Sequence, residues 1–154
     1  MAASETPDRR EDEARLRETA FRYARMMDRM SFDDLSTVFA DDGVLSGPGY
    51  EMTGHDELRA GLQSLDQFEA TLHGVLNTYF EIDGDRAKGE VYCVANHVHQ
   101  VEGIPFKLDM GIRYEDDYTR KGDLWVIQRR FFNMVWETDT PMRVSADGKP
   151  LASA

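Results

Sequence analysis

Phe106-Lys107-Leu108-Asp109-Met110-Gly111-Ile112-Arg113-Tyr114-Glu115 places an apolar side chain at every even position and a polar or minimal one at every odd position. That two-residue period belongs to a strand with one face on a core and the other toward water. Outward from it, Glu102-Gly103 on one side and Arg120-Lys121-Gly122-Asp123 on the other are turn chemistry, as is Asp83-Gly84-Asp85 upstream. They predict four strands, at about 72–82, 87–101, 105–117 and 123–136, running as an antiparallel meander. Before Phe68 the period is helical. Leu16, Ala20, Tyr23 or Ala24, Met27 and Met30 recur at three- and four-residue steps behind Thr6-Pro7-Asp8, which reads as an N-cap, a first-position proline and an acidic first turn. Ser31-Phe32-Asp33-Asp34 resembles a capping box and predicts a short second helix through Leu35, Val38 and Phe39, ending by Asp42-Gly43. Thr53-Gly54-His55-Asp56-Glu57-Leu58 starts a third helix that runs to about Leu65. Helices grouped ahead of a curved antiparallel sheet predict an α+β fold, a cone-shaped barrel whose helices close one side of the sheet around a pocket.

Composition bounds the function. A chain of 154 residues is one domain's worth. We expect residues 9–140 to form it, between an N-terminal tail (1–8) and a C-terminal tail (141–154). Hydrophobic content of 41% with 31% charged residues is ordinary for a water-soluble protein, and no apolar run approaches the ~20 residues of a membrane helix. The N-terminus lacks the apolar stretch of a secretory signal, and the single Cys93 has no partner for an internal disulfide, so a cytoplasmic location is expected. A net charge of −11 argues against nucleic acid and anionic membranes as partners. There is no Gly-rich phosphate loop, no nucleophile elbow and no Cys or His cluster with metal spacing, so neither metal nor cofactor is expected.

What remains is one pair of acid–base groups. His73 opens the extended run His73-Gly-Val-Leu-Asn-Thr-Tyr-Phe-Glu-Ile-Asp83, and Asp28 lies on the first helix about 20° around from Phe21, at the edge of the buried stripe. Alone, Asp28 reads as a solvated partner of Arg25 and His73 as a structural imidazole. Together, a carboxylate on one imidazole nitrogen raises basicity at the other, as a general base near neutrality needs. Counting across the first hairpin sets His73 against Asn96 or Val94, on a face shared with Asn96; the later turns add Met110, Arg129 and Asn133 to that face. Among Val75, Ile127 and Phe131, so many polar groups need partners or a ligand. By the same parity His97 and His99 fall on the opposite face with Cys93, suited to an interface. Tyr50, after Gly47-Pro48-Gly49, is placed at the pocket mouth. Phe32, Phe39, Met26, Met27 and Met30 are read as core.

The order and spacing of Phe21-x-Tyr23-x4-Asp28, Phe39-Ala-Asp-Asp-Gly-Val-Leu45, Thr53-Gly-His-Asp-Glu-Leu58, the strand opened by His73 and Trp125-Val-Ile-Gln-Arg-Arg-Phe131 carry a resemblance over about residues 11–140. The chain resembles the SnoaL-like members of the nuclear transport factor 2-like superfamily. The resemblance implies a cofactor-free lyase or isomerase acting on a hydrophobic oxygenated small molecule such as a polyketide, steroid or terpenoid. Within it His73 would be the base, Asp28 its orienting partner and Tyr23 a hydrogen-bond donor to a substrate oxygen. Asn96, or His97 with the alignment shifted by one, would stand where a relative uses an aspartate, and Arg129 where another uses an anion-stabilising arginine. Association as a homodimer or homotrimer is also implied. A polyketide cyclase, a non-catalytic ligand-binding module and a structural chain like the small subunit of ring-hydroxylating dioxygenases are the alternatives the fold allows.

Overall fold

The computed structural model describes residues 8–143. The first helix, α1 (Arg9–Arg29), is capped by Asp8, whose carboxylate accepts from the Arg10 amide at 3.0 Å. The expected cap at Thr6-Pro7 lies outside the described residues. α1 ends where Met30 turns left-handed (φ 51°) and returns its amide to the carbonyls of Met26 and Met27. Leu16, Ala20, Tyr23, Ala24 and Met27 form its buried stripe, as the spacing predicts. Near its start, the buried Asp12 accepts from the Trp125 indole at 2.9 Å and the Arg120 guanidinium at 2.8 Å.

The stretch after α1 departs from expectation. Ser31 makes no side-chain capping bond, Phe32–Asp34 is one 3-10 turn, and α2 spans only Leu35–Val38. From Phe39 the chain is extended. The run read as the end of a helix is a strand, β1 (Phe39–Gly47), followed by β2 (Tyr50–Thr53). Phe39, Ala40, Gly43 and Ser46 are buried at a spacing a helix face would also give, and it is ladder pairing with β2 and β6 that holds the run extended. Gly49 (φ 86°) makes the turn between the two strands. α3 (Gly54–Leu62) follows and gives way at Gln63–Gln67 to a 3-10 helix.

Four long strands complete the sheet: β3 (Ala70–Asp83), β4 (Arg86–Val101), β5 (Ile104–Lys121) and β6 (Leu124–Pro141). Strand order is β2-β1-β6-β5-β4-β3, six strands where the turns suggested four. Every pairing is antiparallel except β1 with β6, which is parallel. Helices packed on a curved, mainly antiparallel sheet give the α+β cone, with Leu16, Leu35, Val38, Phe39, Leu58, Trp125 and Ile127 at its centre.

Register decides which side chains meet. The first hairpin begins as counted, with Glu81 opposite Lys88, but a bulge between Val75 and Thr78 shifts the rest by one residue, so His73 faces Ala95. Asn96 therefore lies on the opposite face, hydrogen-bonded to Asp109, while His97 and Cys93 turn inward and are buried. The surface expected of Cys93 and His97 is in the interior. A second bulge, between β5 and β6 at Asp117/Tyr118, does the same to the arginines. Arg129 points out, half exposed and 3.6 Å from Glu51, whereas Arg130 is fully buried. Asn133 pairs with Arg113 and, alternating with the inward Phe132, faces outward; Phe131 does too. Met110 lies inward opposite Ala95, as read.

Arg130 is the largest charge in the core. Its guanidinium forks onto Asp116 at 2.8 and 2.7 Å, and Tyr118 donates to the same carboxylate at 2.6 Å. The rings of Tyr23 and Tyr114 lie 4.3 and 4.2 Å from it. Removing one partner of such a pair leaves an uncompensated buried charge. Arg130→Met should therefore lower unfolding free energy by about 3–5 kcal/mol, and Arg130→Met with Asp116→Leu should recover most of that loss, as read from urea midpoints.

Candidate functional site

Asp28 sits in the last turn of α1, facing the start of β3 rather than Arg25. Its Oδ1 lies 2.7 Å from His73 Nδ1 and accepts from the Thr71 hydroxyl at 3.0 Å; its Oδ2 accepts from the His73 amide at 3.0 Å. The two side chains expected to converge are in contact across 45 residues of sequence. Burial would raise the Asp28 pKa, but the side-chain and backbone hydrogen bonds from His73 outweigh it and hold the carboxyl below its usual range. An ionised Asp28 fixes the imidazole with its proton on Nδ1 and leaves Nε2 as the acceptor. Among the described residues no side-chain hydrogen bond uses Nε2.

His97 is the neighbour that parity concealed. Its ring stands edge-on to His73, with centroids 5.4 Å apart, and on its other side packs on Phe68 at 4.7 Å. It is 1% exposed, and its Nδ1 has no hydrogen-bond partner. Burial and the adjacent His73 push its pKa down to about 4, so it is a neutral imidazole at pH 7. A sequence signal for it existed: Ala87, Val91, Cys93 and Ala95 are the apolar positions of β4, and His97 continues their parity. His99 shares that parity, bonds Asp139 at 3.0 Å and flanks Phe68 from the outer end.

Tyr23 is 5% exposed, edge-on to Phe39 and Tyr114 and over Arg130; burial raises its pKa, so its hydroxyl stays protonated. It stands in the core with Arg130, which, rather than Arg129, is the arginine that points inward. Tyr50 is 42% exposed at the start of β2, its ring against Gly47. Met30, Met52, Leu65, Met110 and Phe132 ring the core as partly buried apolar side chains. On the outside, a groove of about 340 Å³ between α1 and β3 reaches Asp28 and His73 past Phe21, Ala24 and Val75. Among the described residues no group of three His, Cys, Asp or Glu side chains could hold a metal ion, and no helix is long and apolar enough to cross a membrane.

The buried neutral His97 makes stability depend on pH. Its folded pKa, about 4, lies below the unfolded value of 6.5, so between these the unfolded chain binds a proton that the folded one refuses. The urea midpoint should fall as pH drops from 6.5 toward 4, and His97→Gln should flatten the curve across that window. Asp28 acts lower, its contribution fading only as pH falls below 3.8.

This arrangement has known relatives. A family model described as a SnoaL-like domain matches residues 8–131. An uncharacterized protein of Mycobacterium tuberculosis is 31% identical over 114 residues, covering 70% of this chain and 75% of its own. Among solved structures, the Kfla4162 protein of Kribbella flavida superposes with a TM-score of 0.79 at 25% identity, covering 85% of this chain and 95% of its own. A candidate scytalone dehydratase from Novosphingobium aromaticivorans superposes at 0.75 with 21% identity, covering 93% and 95%. With the family model spanning most of its length, the chain belongs to the SnoaL-like domain family.

Proposed function

We propose that the protein is a cofactor-independent lyase or isomerase that removes a proton from carbon next to a carbonyl in a hydrophobic oxygenated small molecule. The observation that carries this reading is the 2.7 Å contact between His73 Nδ1 and Asp28. With Nδ1 occupied, Nε2 is the atom that takes the proton, and the imidazolium so formed is stabilised by the carboxylate already bound to it. The electron pair released at carbon moves onto the carbonyl oxygen. Tyr23, a protonated phenol, is the donor we assign to that oxygen, each such donor being worth about 3 kcal/mol in sites of this kind. In a dehydration the departing hydroxyl would take its proton from the His73 imidazolium and leave as water, while His97, neutral at pH 7, would offer it a hydrogen bond from its ring N–H. Asn96, Arg129 and Asn133 have no part, since each faces away; Met110 and Tyr50 are assigned to contacts with the substrate's apolar body. The apolar rim of Met30, Met52, Leu65 and Phe132 suits a ligand of low polarity. The dehydratase described for the Novosphingobium relative is a reaction of this class.

The reading is tested by following deuterium incorporation from D2O at the carbonyl α-position of hydrophobic cyclic ketones by proton NMR. Wild-type protein should accelerate exchange for at least one of them. His73→Ala and Asp28→Asn should each lower the rate by roughly 10²–10⁴ and Tyr23→Phe by roughly 10²–10³, with circular dichroism unchanged. Exchange no faster with wild type than with His73→Ala, across the panel, would exclude it.

Self-association as a dimer or trimer belongs to the same proposal. The surface we assign to it is the outer sheet face, where Leu72, Leu76, Tyr79 and Trp136 are 46–63% exposed. Light scattering should show more than one copy per particle for wild type and a single copy for Leu76→Arg; a monomeric wild type would refute it.

A further inference from the structure

Arg22, Arg25 and Arg29 lie on one side of α1, spaced three and four residues apart. The chain has 29 acidic residues against 18 basic ones, and other α1 arginines find carboxylates readily: Arg9 pairs with Glu13 at 3.1 Å and Arg15 with Glu11 at 2.6 Å. Among the described residues Arg22, Arg25 and Arg29 form no ion pair. Instead they line a pocket of about 290 Å³ between α1 and α2, faced by Ser31, Asp34 and Thr37. Arg22 is half-buried. One terminal nitrogen donates to the Thr19 hydroxyl at 3.3 Å, while its Nε is buried with no partner. A buried cationic N–H without an acceptor is costly, and Arg22 carries that cost at the wall of the pocket.

Charge and shape narrow what the pocket would take. Three guanidinium groups against the Asp34 carboxylate leave two positive charges in the pocket, and one once the ionised Asp28 of the adjoining groove is counted, a balance that favours an anion such as a phosphate. Guanidinium forks bind phosphate oxygens in pairs. Arg25 and Arg29 also border the adjoining groove, whose apolar wall is Phe21, Ala24 and Val75. Phe21 is 50% exposed, an aromatic face turned to solvent beside the arginines. We propose that this paired pocket and groove bind an apolar phosphate monoester, its phosphate on Arg22, Arg25 and Arg29 and its hydrocarbon body against Phe21 and Val75. The groove is the one that reaches Asp28 and His73, so the hydrocarbon body would lie beside that pair, while the phosphate rests on the arginines.

The test is calorimetric titration of the full chain with phenyl phosphate and with inorganic phosphate, at ionic strength held constant with sodium chloride. Phenyl phosphate should bind saturably and more tightly than inorganic phosphate. The Arg22→Gln/Arg25→Gln variant should weaken it at least tenfold, and Phe21→Ser should erase the preference for the phenyl ester. Arg9→Gln, at an α1 arginine that pairs with Glu13 and lies outside the pocket, should bind as wild type does, and heat of binding is read without deuterium exchange, which separates this site from the proposed catalysis. Arg25 is exposed, so Arg25→Gln alone should weaken binding without loss of folding even if Arg22→Gln unfolds. Non-saturable heats, equal affinity for the two phosphates, or undiminished binding by the arginine variants would overturn the proposal.

Discussion

The site hangs on the Asp28 carboxylate. It takes three hydrogen bonds from β3, two to Oδ1 and one to Oδ2, and two of the three come from one residue, His73. The backbone bond fixes where the strand starts relative to α1, and the ring bond fixes how the imidazole is turned. Position and orientation of the imidazole are thus set by one group that the low pKa keeps charged. At the other end of α1, Asp12 binds Trp125 and Arg120 in a similar way, so the helix is held at both ends by ionised side chains reaching into the sheet. Between them the apolar stripe supplies the bulk of the burial energy, at about 25 cal/mol per Å² of apolar surface removed from water. The carboxylates supply the register.

The second determinant is irregularity in the strands. Without the bulge between Val75 and Thr78, His73 would face Asn96 and the neighbouring imidazole would project from the outside of the sheet. Without the shift at Asp117/Tyr118, Arg129 would sit where Arg130 meets Asp116 between two tyrosines. Each bulge adds one residue to one strand, and that inverts every side chain beyond it. Bulges are therefore how this sheet assigns which polar residues enter the cone.

That explains what could be read from the residues alone. The meander and the first helix follow from periods and turns, whereas the Asp28–His73 contact needed the family resemblance, since alone the acid at the edge of α1 reads as a partner of Arg25. Asn96, Arg129 and Asn133 were misplaced because counting from a turn assumes unbroken alternation. The β3 bulge does leave a trace: the inward residues are odd-numbered at His73 and Val75 and even-numbered at Phe80 and Ile82, with Leu76-Asn77 breaking the alternation between them. On β6 the run Arg129-Arg130-Phe131-Phe132 offers either parity equally, and only packing against Asp116 and Tyr114 decides. The start of β1 reads as helix although Gly47-Pro48-Gly49 marks its hairpin with β2; its other partner, β6, is remote in sequence and parallel, and no turn announces that pairing.

That parallel pairing also constrains the order of events at the ribosome. Phe39 pairs with Ile127 and Leu45 with Arg130, so β1 waits until β2 to β5 have been made before its mate arrives. Until then an apolar edge, with Phe39, Val44 and Leu45 on it, has only β2 for cover. Closure of the cone is thus a late, long-range step, and a nascent chain stalled before residue 127 cannot complete the sheet.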